Sequence, residues 1–351
     1  MNSVNYRNFI TINVNDCIYN INLAKKLTNS KFVMAVVKAN CYGIGVELAC
    51  KIERYVDILG VATYEEGYLL RNLGIKKPIL IFGYVPEEKY SDVITYNLTL
   101  SIYSYHFYQS IHSFCKDNNE VITCHLKVDT GMHRFGIDID EYEVLREILT
   151  CPYLKVDGIY SHFARADSDR EYSILQKNRF SEVVNFCKNF ANFRYIHLSN
   201  SYGNNDIFAG NTTRLGYGLY GGFKPYLPIL NWRARVVDIH ILNKGESIGY
   251  GNSYVADSNK KVAVISIGYG DGYPRATSTR YFLYNGIKLP IIGNICMDAS
   301  FVDVTDINIH VGDYVTVIGT SQSKTINYDD IGFGYEVLTS IGRRARRIFI
   351  E

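Results

Sequence analysis

The chain reads as a (β/α)8 TIM barrel followed by a mostly β C-terminal domain, and three observations predict this. From residue 33 to about 220 one unit recurs: a short apolar run, a turn, then a helical stretch. Strands alternating with helices imply parallel βα units, and about eight of them fit, the number that closes a barrel. After about residue 225 helical periodicity stops, and short apolar runs separated by Gly, Asn and Asp replace it. The division is therefore placed at 1–225 and 226–351. An open doubly wound sheet would also accommodate the alternation. Polar placement favours the barrel, because Lys38, Lys127, His162 and Ser201 lie at or just past strand C-termini, where barrel enzymes carry their chemistry.

Taken in order, Phe9–Val14 reads as a strand that can fold back onto the β domain, with Asn15 or Asp16 capping a helix after it. Barrel strands are expected at Met34–Val37, Ile58–Ala62, Ile79–Phe82, Thr99–Ile102, Thr123–Val128, Val156–Ser161 and Tyr195–Ser199, each a short apolar or β-branched run. An eighth is placed near Leu219. Helical spacing appears over Glu65–Arg71, Asp140–Leu149 and Arg170–Phe190. In the β domain the strand runs are Arg233–Ile241, Lys261–Ile267, Ile287–Ile292, Tyr314–Ile318 and Arg346–Ile350.

Composition narrows the function. Apolar residues make up 47% of 351, and no stretch approaches the roughly 20 apolar residues of a membrane span. The start, MNSVNYRNFITINVND, lacks a basic segment leading into an apolar core, so no secretion signal is expected. With 37 basic and 35 acidic residues, a net charge of +2 argues against a nucleic-acid footprint. The basic cluster Arg343–Arg347 runs into IFIE and reads as a strand edge. Eight scattered cysteines without a CxxC pair read as reduced thiols, not a disulfide frame or a zinc site. A soluble cytoplasmic chain with no metal, nucleic-acid or membrane partner is expected.

The most informative segment is Val33–Gly45, VMAVVKANCYGIG. A lysine at the mouth of a buried strand either leaves into solvent or is a desolvated amine able to form a Schiff base with a carbonyl cofactor. Gly216–Gly221 fits GxGxxG, but Ala209–Leu215 before it reads as no strand, and Pro225 and Pro228 interrupt any helix after it. These glycines serve better as backbone donors to a phosphate. Ser201, in HLSNS, is a turn serine or a phosphate ligand. Lys127 sits inside an apolar strand, which argues against plain exposure, with Arg134 on the loop that follows. His162 could be a satisfied core histidine. Tyr250 and Tyr269 could be hairpin aromatics, and Met297–Asp298 is equally unremarkable taken alone.

Together these motifs resemble the bacterial alanine racemases, over Lys38 to Arg344. The lysine segment is similar to AVVKANAYGHG, with Cys41 and Ile44 where that family usually has Ala and His. LKVDTGM-x-R-x-G, HxxNS and R-x-G-I-x-x-Y-G are matched around Arg134, Ser201 and Arg214, with Tyr217 replacing a smaller aliphatic residue and Gly-Tyr-Glu replacing Asn-Tyr-Glu at Tyr335. The resemblance implies pyridoxal 5'-phosphate as an imine on Lys38, its phosphate held by Tyr42, Ser201, Tyr335 and the backbone at Gly216 and Tyr217. It implies Arg134 on the cofactor's phenolic oxygen and the substrate carboxylate, with Lys127, often carbamylated, orienting it. His162 would lie against the cofactor ring and Arg214 would face the pyridine nitrogen. A homodimer is implied, with Tyr250 of the partner as second base opposite Lys38, and Tyr269, Met297 and Asp298 completing the site. The implied reaction interconverts L- and D-alanine and supplies D-alanine for peptidoglycan. A serine or broad-specificity racemase is the alternative within the fold; a non-catalytic cofactor carrier would lack the β domain. A barrel decarboxylase would pair the pyridine nitrogen with a carboxylate where this chain has Arg214. A binding protein with a vestigial site is disfavoured, since no catalytic position is lost.

Overall fold

The computed structural model describes residues 6–351; Met1–Asn5, the first part of the segment read for a leader, lie outside the described residues. The chain forms two compact units. One comprises Cys17–Cys41 and Val46–Leu219, the other the residues up to Asp16, Tyr42–Gly45 and Tyr220–Glu351. The short insert 42–45 and residues 220–225 thus belong with the β-rich unit.

The first unit is the barrel. Thr212–Leu215, Phe32–Val36, Ile58–Val61 and Ile79–Ile81 pair in parallel in that order. Leu100–Ile102, Ile122–Asp129, Leu154–Tyr160 and Tyr195–His197 form a second parallel run. A bridge between Leu80 and Thr99 joins the runs on one side, and one between His197 and Gly210 on the other. Several of these strands are buried on both faces, so they are continuous apolar runs without alternation.

The eighth strand corrects the sequence expectation. It is Thr212–Leu215, not a strand near Leu219, and it lies inside the stretch read as no strand. Thr-Thr-Arg-Leu looks polar, but both threonines are β-branched and fully buried, and Thr213 Oγ1 bonds Asn204 Oδ1 at 2.5 Å. Leu219 falls in the 3-10 turn Tyr217–Tyr220. A strand therefore does precede GxGxxG, but that single turn follows in place of a dinucleotide-binding helix.

Helices run over Tyr64–Asn72, Tyr142–Thr150 and Arg170–Cys187, the first and last capped by Thr63 and Asp169 side chains. The N-terminal helix is Val14–Thr28. Asn13 Oδ1 accepts the Asp16 amide at 3.1 Å, so Asn13 is the cap and not Asn15 or Asp16.

In the second unit nine strands form one sheet among the described residues. Leu230–Leu242 pairs with Lys260–Ile265 and with Tyr314–Ser321, bringing two parts of the strand sequence together. The N-terminal strand Asn8–Asn13 does join this sheet, antiparallel to Leu230–Leu242 and parallel to Arg346–Ile350, the edge strand that contains the last two arginines of the basic cluster. Fully buried Trp232 anchors the interior and donates its indole N–H to Asn8 Oδ1 at 3.3 Å. No helix among the described residues is long and apolar enough to cross a membrane.

Candidate active site

Lys38 follows the strand Phe32–Val36, with the Val37 amide still bonded to Gly60 O at 2.8 Å. The chain then turns left-handed: Ala39, Asn40, Cys41 and Tyr42 all have φ between 51 and 54°. Each such non-glycine residue costs roughly 1–2 kcal/mol. Within the barrel unit the cost is offset by bonds from the Cys41 amide to Val37 O (3.0 Å), from the Val46 amide to Asn40 Oδ1 (2.9 Å) and from the Ala39 amide to Glu66 Oε1 (2.6 Å). The turn places Lys38, half-buried, at the C-terminal end of its strand. Burial, then the nearby Arg134 guanidinium, hold its amine below the ordinary lysine range; Glu66 opposes this and Arg214 adds to it.

Lys127 lies near the end of Ile122–Asp129 and is buried. Its Nζ sits 5.2 Å from the Phe135 ring centre and 5.7 Å from that of Tyr160. Burial, followed by Arg134 and Arg214, pulls its pKa to about 7, with Asp129 opposing and Lys38 adding to the fall. Beyond it, Asp129 Oδ1 accepts the amides of Gly131, Met132 and His133 and so shapes the loop that presents exposed Arg134. Burial alone would raise the Asp129 carboxyl, but those amides and His133 hold it below its usual range.

Arg214 is buried at the end of the eighth strand and organises three histidines. It donates to Nδ1 of His162 and Nδ1 of His197, both at 2.8 Å, and to the carbonyls of Ser161 (2.9 Å) and Leu198 (2.7 Å). A guanidinium only donates, so both rings must accept at Nδ1 and carry their proton on Nε2. His197 then donates from Nε2 to His125 Nδ1 at 3.0 Å. Burial first, then Arg214, pushes all three imidazoles down, His125 to about 3 and the others well below the usual value. Arg214 itself falls to about 10, chiefly through burial, and remains a cation at neutral pH. Tyr160 stacks on His197 at 4.7 Å and bonds Ser101 Oγ at 2.8 Å.

Ser201 Oγ, also buried, accepts the amides of Gly216 (3.0 Å) and Gly218 (3.1 Å). Gly216 and Gly218, the first two glycines of GxGxxG, thus converge their N–H groups on one hydroxyl in a compact anion-receptive cradle. Tyr217 between them is buried. The barrel unit therefore brings together Lys38, Lys127, Arg134, His162, Ser201, Arg214, Gly216 and Tyr217, a strongly cationic group.

The β-rich unit carries the other predicted residues. Tyr42 is buried, stacks on Tyr220 at 4.8 Å and lies 6.3 Å from Tyr335; burial pushes its phenol up to about 12. Tyr250 stands between Gly249 and Gly251, both at positive φ, and is 72% exposed. Tyr269 and Met297 are exposed on two loops tied together by the Tyr269 amide to Cys296 O (3.1 Å) and the Gly270 amide to Met297 O (2.9 Å). Gly268 is required there, since a Cβ would meet Cys296 O at 2.1 Å. Asp298 pairs with Arg344, and Arg7 donates to both Asp298 O and the buried Asp271 carboxylate, fixing the same loops.

Comparison with known proteins now places this geometry. The alanine racemase N-terminal domain model matches residues 12–224 and the alanine racemase C-terminal domain model residues 229–349. The chain belongs to the alanine racemase family. It is accordingly an isomerase of the racemase class. An alanine racemase of Thermodesulfovibrio yellowstonii is 34% identical, with 97% of this chain and 96% of the relative covered. One of Aquifex pyrophilus is 36% identical over 92% and 93%. The alanine racemase of Clostridium difficile 630 superposes with TM-score 0.92 at 30% identity, covering 99% of this chain and 97% of that one. That of Bartonella henselae, with covalently bound pyridoxal phosphate, has TM-score 0.87 at 27% identity over 98% and 99%.

Within this racemase family the departures noted in the sequence are interior substitutions. Cys41 and Ile44 are both fully buried. Sequence reasoning missed Glu66, His125 and His197. Glu66 looks like a surface residue of an amphipathic helix, and the two histidines lie in apolar strands where a core role is the default reading. Their signal was position, since all three sit on or beside strands that end at the site.

Proposed function

We propose that this racemase interconverts L- and D-alanine with pyridoxal 5'-phosphate on Lys38, working in the cytoplasm as a homodimer and supplying D-alanine for peptidoglycan. The observation that carries the reading is an amine of lowered proton affinity at the barrel mouth, beside a buried guanidinium whose histidine partners are held neutral. The chain fits the cofactor: the Ser201, Gly216 and Gly218 cradle suits its phosphate, and the cationic mouth suits an anionic ring oxygen. Bound pyridoxal phosphate would withdraw electrons from the substrate Cα and acidify its C–H bond.

The protein's own residues supply the rest. Arg214 keeps its protons, so a pyridine nitrogen facing it stays unprotonated, which tempers the electron sink and discourages transamination. Arg134 holds the substrate carboxylate. Lys38 handles the proton on one face of Cα, and Tyr250 of the partner subunit handles it on the other, as inversion requires. The exposure of Tyr250, Tyr269 and Met297 supports their use by a second copy.

Borohydride reduction of the holoenzyme, followed by peptide mapping, should place the pyridoxyl label on Lys38, and Lys38→Ala should abolish racemisation. Label on Lys127 would overturn the assignment. Assays with L-alanine and L-serine decide the substrate, and faster turnover of serine would make this a serine racemase.

A further inference from the structure

Thr63-Tyr-Glu-Glu66 has the spacing of a capping box, in which the glutamate would return to the Thr63 amide at the start of its own helix. The structure uses the carboxylate otherwise. Oε2 accepts the Ala62 amide at 2.8 Å, at the end of the strand Ile58–Val61. Oε1 accepts the Ala39 amide at 2.6 Å, on the peptide that directly follows Lys38. One side chain thus ties the mouths of two adjacent barrel strands, at the first residue of the left-handed turn.

We infer that Glu66 is a positioning residue for Lys38, locking the peptide after it to the neighbouring strand and so fixing where the amine stands. This rests on the reading of Lys38 as the cofactor lysine. The charge balance supports it. The Arg134 and Arg214 guanidinium groups disfavour the protonated form of Lys38, whereas the Glu66 carboxylate acts in the opposite direction. Among the described residues no other bond holds the Ala39 amide, and the left-handed conformation has no glycine to relieve it until Gly43.

The full-length protein, depleted of cofactor, is labelled with acetic anhydride across a pH series, and acetylation of Lys38 is quantified by peptide mass spectrometry. Glu66→Gln keeps one acceptor oxygen but removes the charge, and its labelling midpoint should move to lower pH. Glu66→Ala should in addition capture added pyridoxal phosphate at least tenfold more slowly, followed by the visible band. Should Glu66→Ala fail to fold, Glu66→Gln decides. A Glu66→Gln profile superimposable on the parent protein's would overturn the inference. Labelling is read without cofactor, so it stands apart from the borohydride mapping: pyridoxyl on another lysine sinks the cofactor assignment alone.

Discussion

At Lys127 two effects compete for one amine. The Phe135 and Tyr160 faces attract a cation, whereas burial and the Arg134 and Arg214 guanidinium groups expel the proton and bring the pKa to about 7. The neutral amine is the form that adds carbon dioxide, releasing a proton and leaving an anionic carbamate that can accept hydrogen bonds from Arg134. Carbamylation is therefore expected above pH 7 and should fade as the pH falls through 7 and the amine protonates. Carbon-13 NMR after equilibration with labelled bicarbonate should show one carbamate resonance that Lys127→Ala removes; a bare amine at pH 8 in bicarbonate would disprove it. Tyr335 sets a second residue-scale expectation. Its ring stacks on Phe333 at 5.3 Å, and on the proposed function this bulk would narrow the room for a substrate larger than alanine. One small group in an apolar pocket is worth only about 1–3 kcal/mol, so Tyr335→Asn should raise serine turnover relative to alanine by roughly tenfold. An unchanged ratio of kcat/KM would show that Tyr335 does not set the preference.

At the scale of elements, strands built from Val, Ile and Leu were legible because burial on both faces demands continuous apolar runs. Thr212–Leu215 was not, because its threonines fit a buried strand through shape and satisfied hydroxyls, neither of which hydropathy reports. Likewise the lysine, the arginines and Ser201 were singled out through motifs that resemble the racemase family, not by local pattern alone. The Arg214–His197–His125 chain was hidden because a histidine in an apolar strand looks the same whether it supports a site or only fills a core. The turn after Lys38 carried no glycine at its first four left-handed positions, so local chemistry offered no sign of it. The N-terminal helix was displaced for a related reason, since several candidate caps follow one another in Asn13-Val-Asn-Asp and only geometry selects Asn13. Asn13→Ala should then cost about 1 kcal/mol, within the 0.5–2 kcal/mol range of lost caps. Urea unfolding would read this as a lower midpoint at unchanged slope, whereas the same loss from Asn15→Ala would return the cap to that residue.

At the scale of the whole molecule, the proposed chemistry is divided between two compact units of one chain. The barrel unit holds Lys38, Arg134 and Arg214, while the β-rich unit presents Tyr250 at 72% exposure beside other exposed groups that a lone chain would gain nothing by displaying. If each site takes Lys38 from one subunit and Tyr250 from the other, two separately dead chains can repair each other. Lys38→Ala and Tyr250→Phe proteins should each be inactive as homodimers. In a hybrid, the site built from the Tyr250→Phe chain's lysine and the Lys38→Ala chain's tyrosine is intact, and the opposite site carries both lesions. Random reassociation of equal amounts makes half the dimers hybrid, each with one working site of two, so activity should recover to about a quarter of the parent protein's. Sedimentation or native mass spectrometry must show that the subunits have exchanged. With exchange demonstrated and activity absent, Tyr250 would have to serve its own chain's lysine, and the shared-site reading would fall.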